Sequence, residues 1–139
     1  HPPCTYLCGS GARWWTGRKV QQAAGAWFFM QFINCKCSRI AVENPIGVMS
    51  KWYRKPDQII QPWMFGHPET KSTCLWLKNL PLLIPTKIVS PVPVAFYKNG
   101  PRKGQGISPV QYLSGEDRWK IRSRTYTGVA EAMAIQWGD

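Results

Sequence analysis

Acidic residues are scarce in this chain. Seven Asp and Glu stand against 18 Lys and Arg in 139 residues, a formal net charge of +11. A surface so short of carboxylates points to a polyanionic partner bound through counterion release, although the same charge also serves solubility alone. Long apolar runs are missing as well. None approaches the ~20 residues of a membrane span, so no membrane partner is expected. The opening has no basic segment followed by an apolar one, so no secretory leader is expected either. A starting Met is absent too; His1 stands first, and further chain is expected before it. Paired Cys-x2-Cys knuckles are lacking. The spacings Cys4-x3-Cys8 and Cys35-x-Cys37, even with His67 added, make a poor zinc set, and no metal is expected. The five cysteines are odd in number, which argues for reduced thiols in a cytoplasmic setting. No internal repeat is visible.

What is present reads as one α/β domain over residues 1–139. Residues 1–12 read as a strand end followed by a Gly-rich loop, Gly9-Ser10-Gly11. Arg13, Arg18 and Lys19 follow, placed for a phosphate or simply solvated. Across 18–33 Val20, Ala23, Trp27 and Met30 recur at helical steps, widened by Ala24 and Phe28. This predicts a helix packed on a sheet by that stripe. Residues 34–38 connect it to a short buried strand over 39–43, and helix-then-strand predicts parallel pairing there.

Residues 46–56 read as a helical turn and a basic loop, 58–63 as a second strand, and 73–78 as a third. The short turn between the last two predicts an antiparallel hairpin at the sheet edge. Residues 79–117 carry many prolines and glycines and predict a long irregular basic loop or arm. It holds Lys98, Arg102 and Lys103, and nucleic-acid contact and disorder are equal readings of it. The pattern Val129, Met133, Trp137 with Ala130 and Ala134 predicts a final helix over 125–137, capped by Thr125 or Thr127. Arg122 and Arg124 precede that helix start, a position that suits a phosphate or carboxylate.

Two short stretches carry candidate chemistry. Pro2-Pro3-Cys4 fixes a thiol on a stiff corner, and Ile40 to Val42 delivers the carboxylate of Glu43 at a strand end. In open parallel sheets, ligands bind beyond the carboxyl ends of strands, which is the reason for pairing Cys4 with Glu43. A nucleophile beside an acid suits covalent chemistry on an electrophilic ring. The plainer alternatives are a buried inert thiol at Cys4 and a hydrogen-bonding acid at Glu43. His67 reads as a turn residue, and the aromatics mostly as core.

These stretches resemble the motifs of cytosine-5 DNA methyltransferases. Pro2-Pro3-Cys4 is similar to the family's Pro-Cys motif and Ile40-Ala41-Val42-Glu43-Asn44 to its Glu-Asn motif. Phe65-Gly66-His67-Pro68-Glu69-Thr70-Lys71 is similar to its Tyr-Gly-x-Pro-Gln-x-Arg turn. Gly128-Val129-Ala130-Glu131-Ala132-Met133-Ala134 is similar to the helix that returns to the cofactor pocket. Short phage-borne methyltransferase-like proteins resemble the whole chain.

The resemblance implies part of a doubly wound, Rossmann-like sheet that methylates a flipped-out cytosine of DNA from S-adenosylmethionine. Cys4 would attack ring carbon 6, and Glu43 would hydrogen-bond the ring nitrogen and amine. Pro3, Asn44, Lys71, Arg122 and Arg124 would lie on the substrate side. Pro2, Gly128 and Val129 would lie on the cofactor side. The chain departs from the pattern at Thr5, Pro45, Lys71 and Thr73. It also carries no cofactor-binding Gly-rich loop, so either a companion chain supplies the N-terminal half, or the chain is a fragment, or the protein no longer methylates. The alternative is a non-catalytic nucleic-acid-binding domain that kept the scaffold. A third reading is another base-modifying enzyme, such as an amino-methyltransferase.

Overall fold

The structure is a computed structural model that describes residues 2, 4–116 and 118–138, the side chains of Arg118 and Trp119 aside. It is a mixed α/β arrangement with small antiparallel sheets. Its contacts group into two compact units, His1–Ile60 with Ser72–Leu82, and Gln61–Lys71 with Leu83–Asp139.

The first unit contains helix α1 (Lys19–Ile33), strand β1 (Ile40–Pro45), one turn of helix α2 (Met49–Trp52), and strands β2 (Gln58–Ile60) and β3 (Thr73–Lys78). The strand order is β1-β3-β2, and β3 runs antiparallel to both neighbours. β1 and β2 therefore run in the same direction on either side of it. The expected antiparallel pairing of β2 with β3 is present. β2 stops at Ile60 rather than 63 because Pro62, with no N–H for a ladder, opens a 3₁₀ turn, Pro62–Met64.

The expected parallel pairing at β1 is absent among the described residues. A parallel partner would have to precede α1, and there the chain is wound into a turn. Leu7 N and Cys8 N both donate to Cys4 O, at 3.0 and 2.9 Å. Cys4 thus lies in a turn rather than at a strand end, and residues 9–14 form a 3₁₀ helix rather than an open loop.

α1 lies where its period predicts but buries another face. Val20 and Trp27 are 82% and 65% exposed, and Ala23, Ala24 and Phe28 are exposed with them. Phe29 and Gln22 are buried instead. The helix is apolar nearly all round, so spacing alone did not single out a face. Tertiary contacts chose it. Phe29 meets Trp76 of β3 edge to face with ring centroids 5.0 Å apart, and Gln22 Nε2 donates to Tyr6 O at 3.1 Å. Leu7, Val42, Val48, Met49 and Cys74 complete this core.

Residues 53–57 are a clamp rather than a loose basic loop. Arg54 makes a bidentate ion pair with Asp57 at 2.9 and 2.7 Å, and Asp57 Oδ2 also accepts from Leu77 N at 2.7 Å. Trp76 Nε1 donates to Arg54 O at 2.9 Å. The Arg54 guanidinium holds the Asp57 carboxyl below its ordinary range.

The second unit holds a hairpin of β4 (Ala95–Phe96) with β5 (Gly106–Ile107), short helices α3 (Pro109–Tyr112) and α4 (Arg118–Ser123), and helix α5 (Thr127–Trp137). So the Pro-rich stretch 79–117 is irregular only in part. Where it lacks helix and strand it is pinned by backbone bonds. Gly66 N donates to Lys87 O, Lys87 N to Met64 O, Val89 N to Trp63 O and Val92 N to Pro68 O, at 2.7 to 3.2 Å. Gln136 on α5 binds both polar groups of Ile84: Ile84 N donates to Oε1 and Nε2 donates to Ile84 O, each at 2.8 Å. Pro62, Phe65, Leu83, Val110, Val129 and Ala132 are buried apolar residues of this unit. The residue before α5 is Tyr126, not a threonine. No helix among the described residues is long and apolar enough to cross a membrane.

Candidate functional site

Four of the expected site residues fall in the first unit. Asn44 is buried at the end of β1, and its Nδ2 donates to Pro2 O at 3.1 Å. This bond ties the first motif to the second. Two backbone hydrogen bonds extend the tie just beyond β1. Gly9 N donates to Ile46 O at 2.9 Å and Val48 N to Leu7 O at 3.0 Å, which pairs Cys8 with Gly47 as an antiparallel bridge. Gly47 is required by this approach, because a Cβ there would sit 1.8 Å from Leu7 O.

Cys4, exposed, belongs to the same anchored turn, two residues after Pro2. Glu43 is half-buried and precedes Asn44, in register with Leu75 of β3. Strand alternation puts it on the opposite face from Asn44. Pro3 lies outside the described residues.

Not every thiol is poised for attack. Burial pushes the Cys74 thiol up to about 11, which keeps it protonated at neutral pH. Cys8 Sγ lies 3.1 Å from Ser10 Oγ.

The other expected residues fall in the second unit, around the start of α5. Lys71 Nζ donates to Arg122 O at 2.8 Å, near the end of α4, and lies 5.6 Å from the Tyr126 ring centroid. Lys71 N donates to Gln61 Oε1 at 2.9 Å. Arg122 is half-buried and Arg124 exposed. Gly128 N donates to His67 Nε2 at 3.0 Å, and a Cβ on Gly128 would sit 2.0 Å from Phe65 O. Val129 is buried.

Sequence reasoning gave His67 no task beyond the turn. It accepts an otherwise orphaned N–H at a helix start, the role a capping side chain fills. Tyr126 was missed as well. Its hydroxyl donates to Glu69 Oε2 at 2.8 Å, and burial with this bond raises its pKa. The signal available was the turn's polar composition, His67-Pro68-Glu69-Thr70-Lys71, beside an aromatic next to the helix start.

Among the described residues no group of three or more His, Cys, Asp or Glu could hold a metal. For a nucleoside cofactor, the residues assigned to that side are spent inside the fold. Pro2 is fully buried with its carbonyl bonded to Asn44, Gly128 is packed against Phe65, and Val129 sits in the core. These three do not fit a cofactor cradle. Comparison with protein-family models, with curated proteins and with solved structures finds no match.

Proposed function

We propose that the chain captures a flipped-out cytosine of DNA through Cys4, as the catalytic half of a cytosine-5 methyltransferase-like protein. The observation that carries this reading is the buried Asn44–Pro2 hydrogen bond, which joins the thiol-bearing turn to the strand of Glu43. The sheet is compatible with it: a strand inserted antiparallel between two co-directed ones fits the edge of a larger doubly wound sheet. The net charge of +11 favours a nucleic-acid partner.

In this reading the Cys4 thiolate adds to ring carbon 6, forming a C–S bond while the ring's double bond shifts its electrons toward carbon 5. Glu43 is the acid this reading calls for at the ring nitrogen and amine; it lies on the face of β1 opposite Asn44, so the base would have to reach it around the strand end. The base leaves the stack first, at a cost of roughly a few kcal/mol. S-adenosylmethionine is the methyl source this reading requires. It would be held by residues of a companion chain, since Pro2, Gly128 and Val129 are committed to packing. Lys71 and Arg122 act here by shaping the α4–α5 corner, and Arg124 is the exposed cation of that corner.

The test is trapping of the full chain on a 5-fluorocytosine oligonucleotide, with and without S-adenosylmethionine. A covalent adduct mapped to Cys4 and lost in Cys4→Ser supports the reading. Salt-sensitive binding with no adduct, unchanged in Cys4→Ser, overturns it in favour of a non-catalytic DNA-binding domain.

A further inference from the structure

His67 and the start of α5 make a contact whose chemistry turns on one proton. The turn that carries His67 is fixed by its backbone. Gly66 N donates to Lys87 O at 2.7 Å, His67 N to Pro62 O at 3.2 Å and Glu69 N to His67 O at 2.6 Å. The imidazole stands against Tyr126, with ring centroids 5.1 Å apart and planes tilted by 57°. Its Nε2 accepts from Gly128 N at 3.0 Å and lies 3.4 Å from Thr127 Oγ1. Gly128 N is among the first N–H groups of α5, which have no acceptor inside the helix. Tyr126, the residue before the helix, supplies no side-chain cap of its own. The Gly128–His67 bond is partly buried, so losing its acceptor leaves a donor that solvent serves poorly.

A nitrogen that accepts this N–H carries no hydrogen, so the bond exists only for neutral imidazole protonated on Nδ1. In imidazolium both nitrogens donate, and two N–H groups would face one another. The added charge would also sit at the positive end of the α5 dipole. Histidine is the side chain whose charge ordinarily changes between about pH 5 and 8. His67 is only half-buried, so protons from solvent reach it.

We propose that His67 is a proton-operated latch: neutral, it ties the first turn of α5 to the 65–71 turn, and protonated, it lets go. The lone pair that holds Gly128 N–H takes a proton from solvent, the hydrogen bond breaks, and the change reverses when the proton leaves. The charged and titratable groups on the segments packed here are accounted for as follows. On the turn itself, Glu69 Oε2 accepts from Tyr126 OH at 2.8 Å, and Lys71 Nζ donates to Arg122 O at 2.8 Å. Neither bond involves the imidazole, so both persist when it releases. Lys87 lies on the stretch bonded to Gly66, Arg124 precedes α5 and Glu131 is on it, the last two exposed. At the far end of α5, Gln136 stays bonded to both polar groups of Ile84. Opening is therefore confined to the first turn of the helix. The latch stands whether or not Cys4 reacts with a base.

The experiment is amide exchange on the full chain, read residue by residue from about pH 8 to about pH 5 and corrected at each pH for the rate of an unstructured peptide. Protection at Gly128 should fall by about tenfold on acidification, the loss of one cap, while protection at Ile84 holds. In His67→Gln the amide oxygen accepts at every pH, so protection at Gly128 should stay level. Glu69 is intact in that variant, so a fall caused by the Glu69 carboxyl would persist there. Protection at Gly128 that is level in the unaltered chain would overturn the proposal. So would a fall as large in His67→Gln, or one matched at Ile84.

Discussion

Each of the two units is stabilised internally by a different means. In the first, large side chains carry the structure: Trp76, Phe29, Leu7 and Leu75 are fully buried around paired strands. In the second, the fully buried side chains are few, and backbone and side-chain-to-backbone bonds stitch an irregular Pro-rich path to the 63–68 turn and to α5. Apolar burial is non-directional and tolerant of detail, whereas hydrogen bonds fix individual atoms. The first unit should therefore fail through cavities, and the second through the loss of single polar partners.

Phe29→Ala should have the largest effect. It empties the centre of the first core and should cost about 3–5 kcal/mol, read as a fall in the urea midpoint. Trp27→Gln on the same helix should stay within about 0.5 kcal/mol. Equal losses for the two would mean that the buried face of α1 is wrong. Gly128→Ala comes next. Its methyl would collide with Phe65 O, and overpacking of this kind costs about 1–3 kcal/mol. The His67 cap should also open, seen as faster amide exchange at Gly128.

Gln136→Ala should cost about 1 kcal/mol for two exposed hydrogen bonds. Its sharper signature is faster amide exchange at Ile84 with β3 unchanged. If β3 exchange rises equally, the two units do not fail separately.

Asp57→Asn should give the smallest effect at neutral pH and a distinct acid limb. The folded carboxyl is held below its unfolded value by Arg54. Its contribution is therefore fully present above the unfolded pKa of roughly 3.9 and is lost as pH falls through the folded value. Urea midpoints measured down to about pH 2 should fall more steeply for the unaltered chain than for the variant.

Much of the first unit was legible in the chain. β3 falls on residues 73–78 as read, and α1 begins within a residue of its expected start. The face α1 buries was not legible, since Trp27 and Phe29 are equally apolar and only Trp76 distinguishes them. Nor was the pairing of β1, because the strand that a parallel arrangement needs is not formed by residues 4–8. The second unit was harder to read. Its bonds join turn to turn across long sequence separations, as from Gly66 to Lys87, and leave no periodic trace. Within the candidate site, Cys4 and Glu43 were picked by residue type. The amide of Asn44 that connects their segments had no spacing to announce it. The residues assigned to the cofactor turned out to be packing residues, because a glycine wanted for close approach looks the same whether the neighbour is a ligand or Phe65 O.

Asn44 carries one more consequence, on the scale of chemical ageing. A buried asparagine that donates to a carbonyl would be harmed by deamidation, which replaces the donating amide with a carboxylate facing Pro2 O. The usual route closes a succinimide ring through the backbone N–H of the next residue. Here that residue is Pro45, which has no N–H to give. The proline that ends β1 also shuts this route of decay, so the link between the two motifs is protected from this slow conversion whether the chain is folded or not.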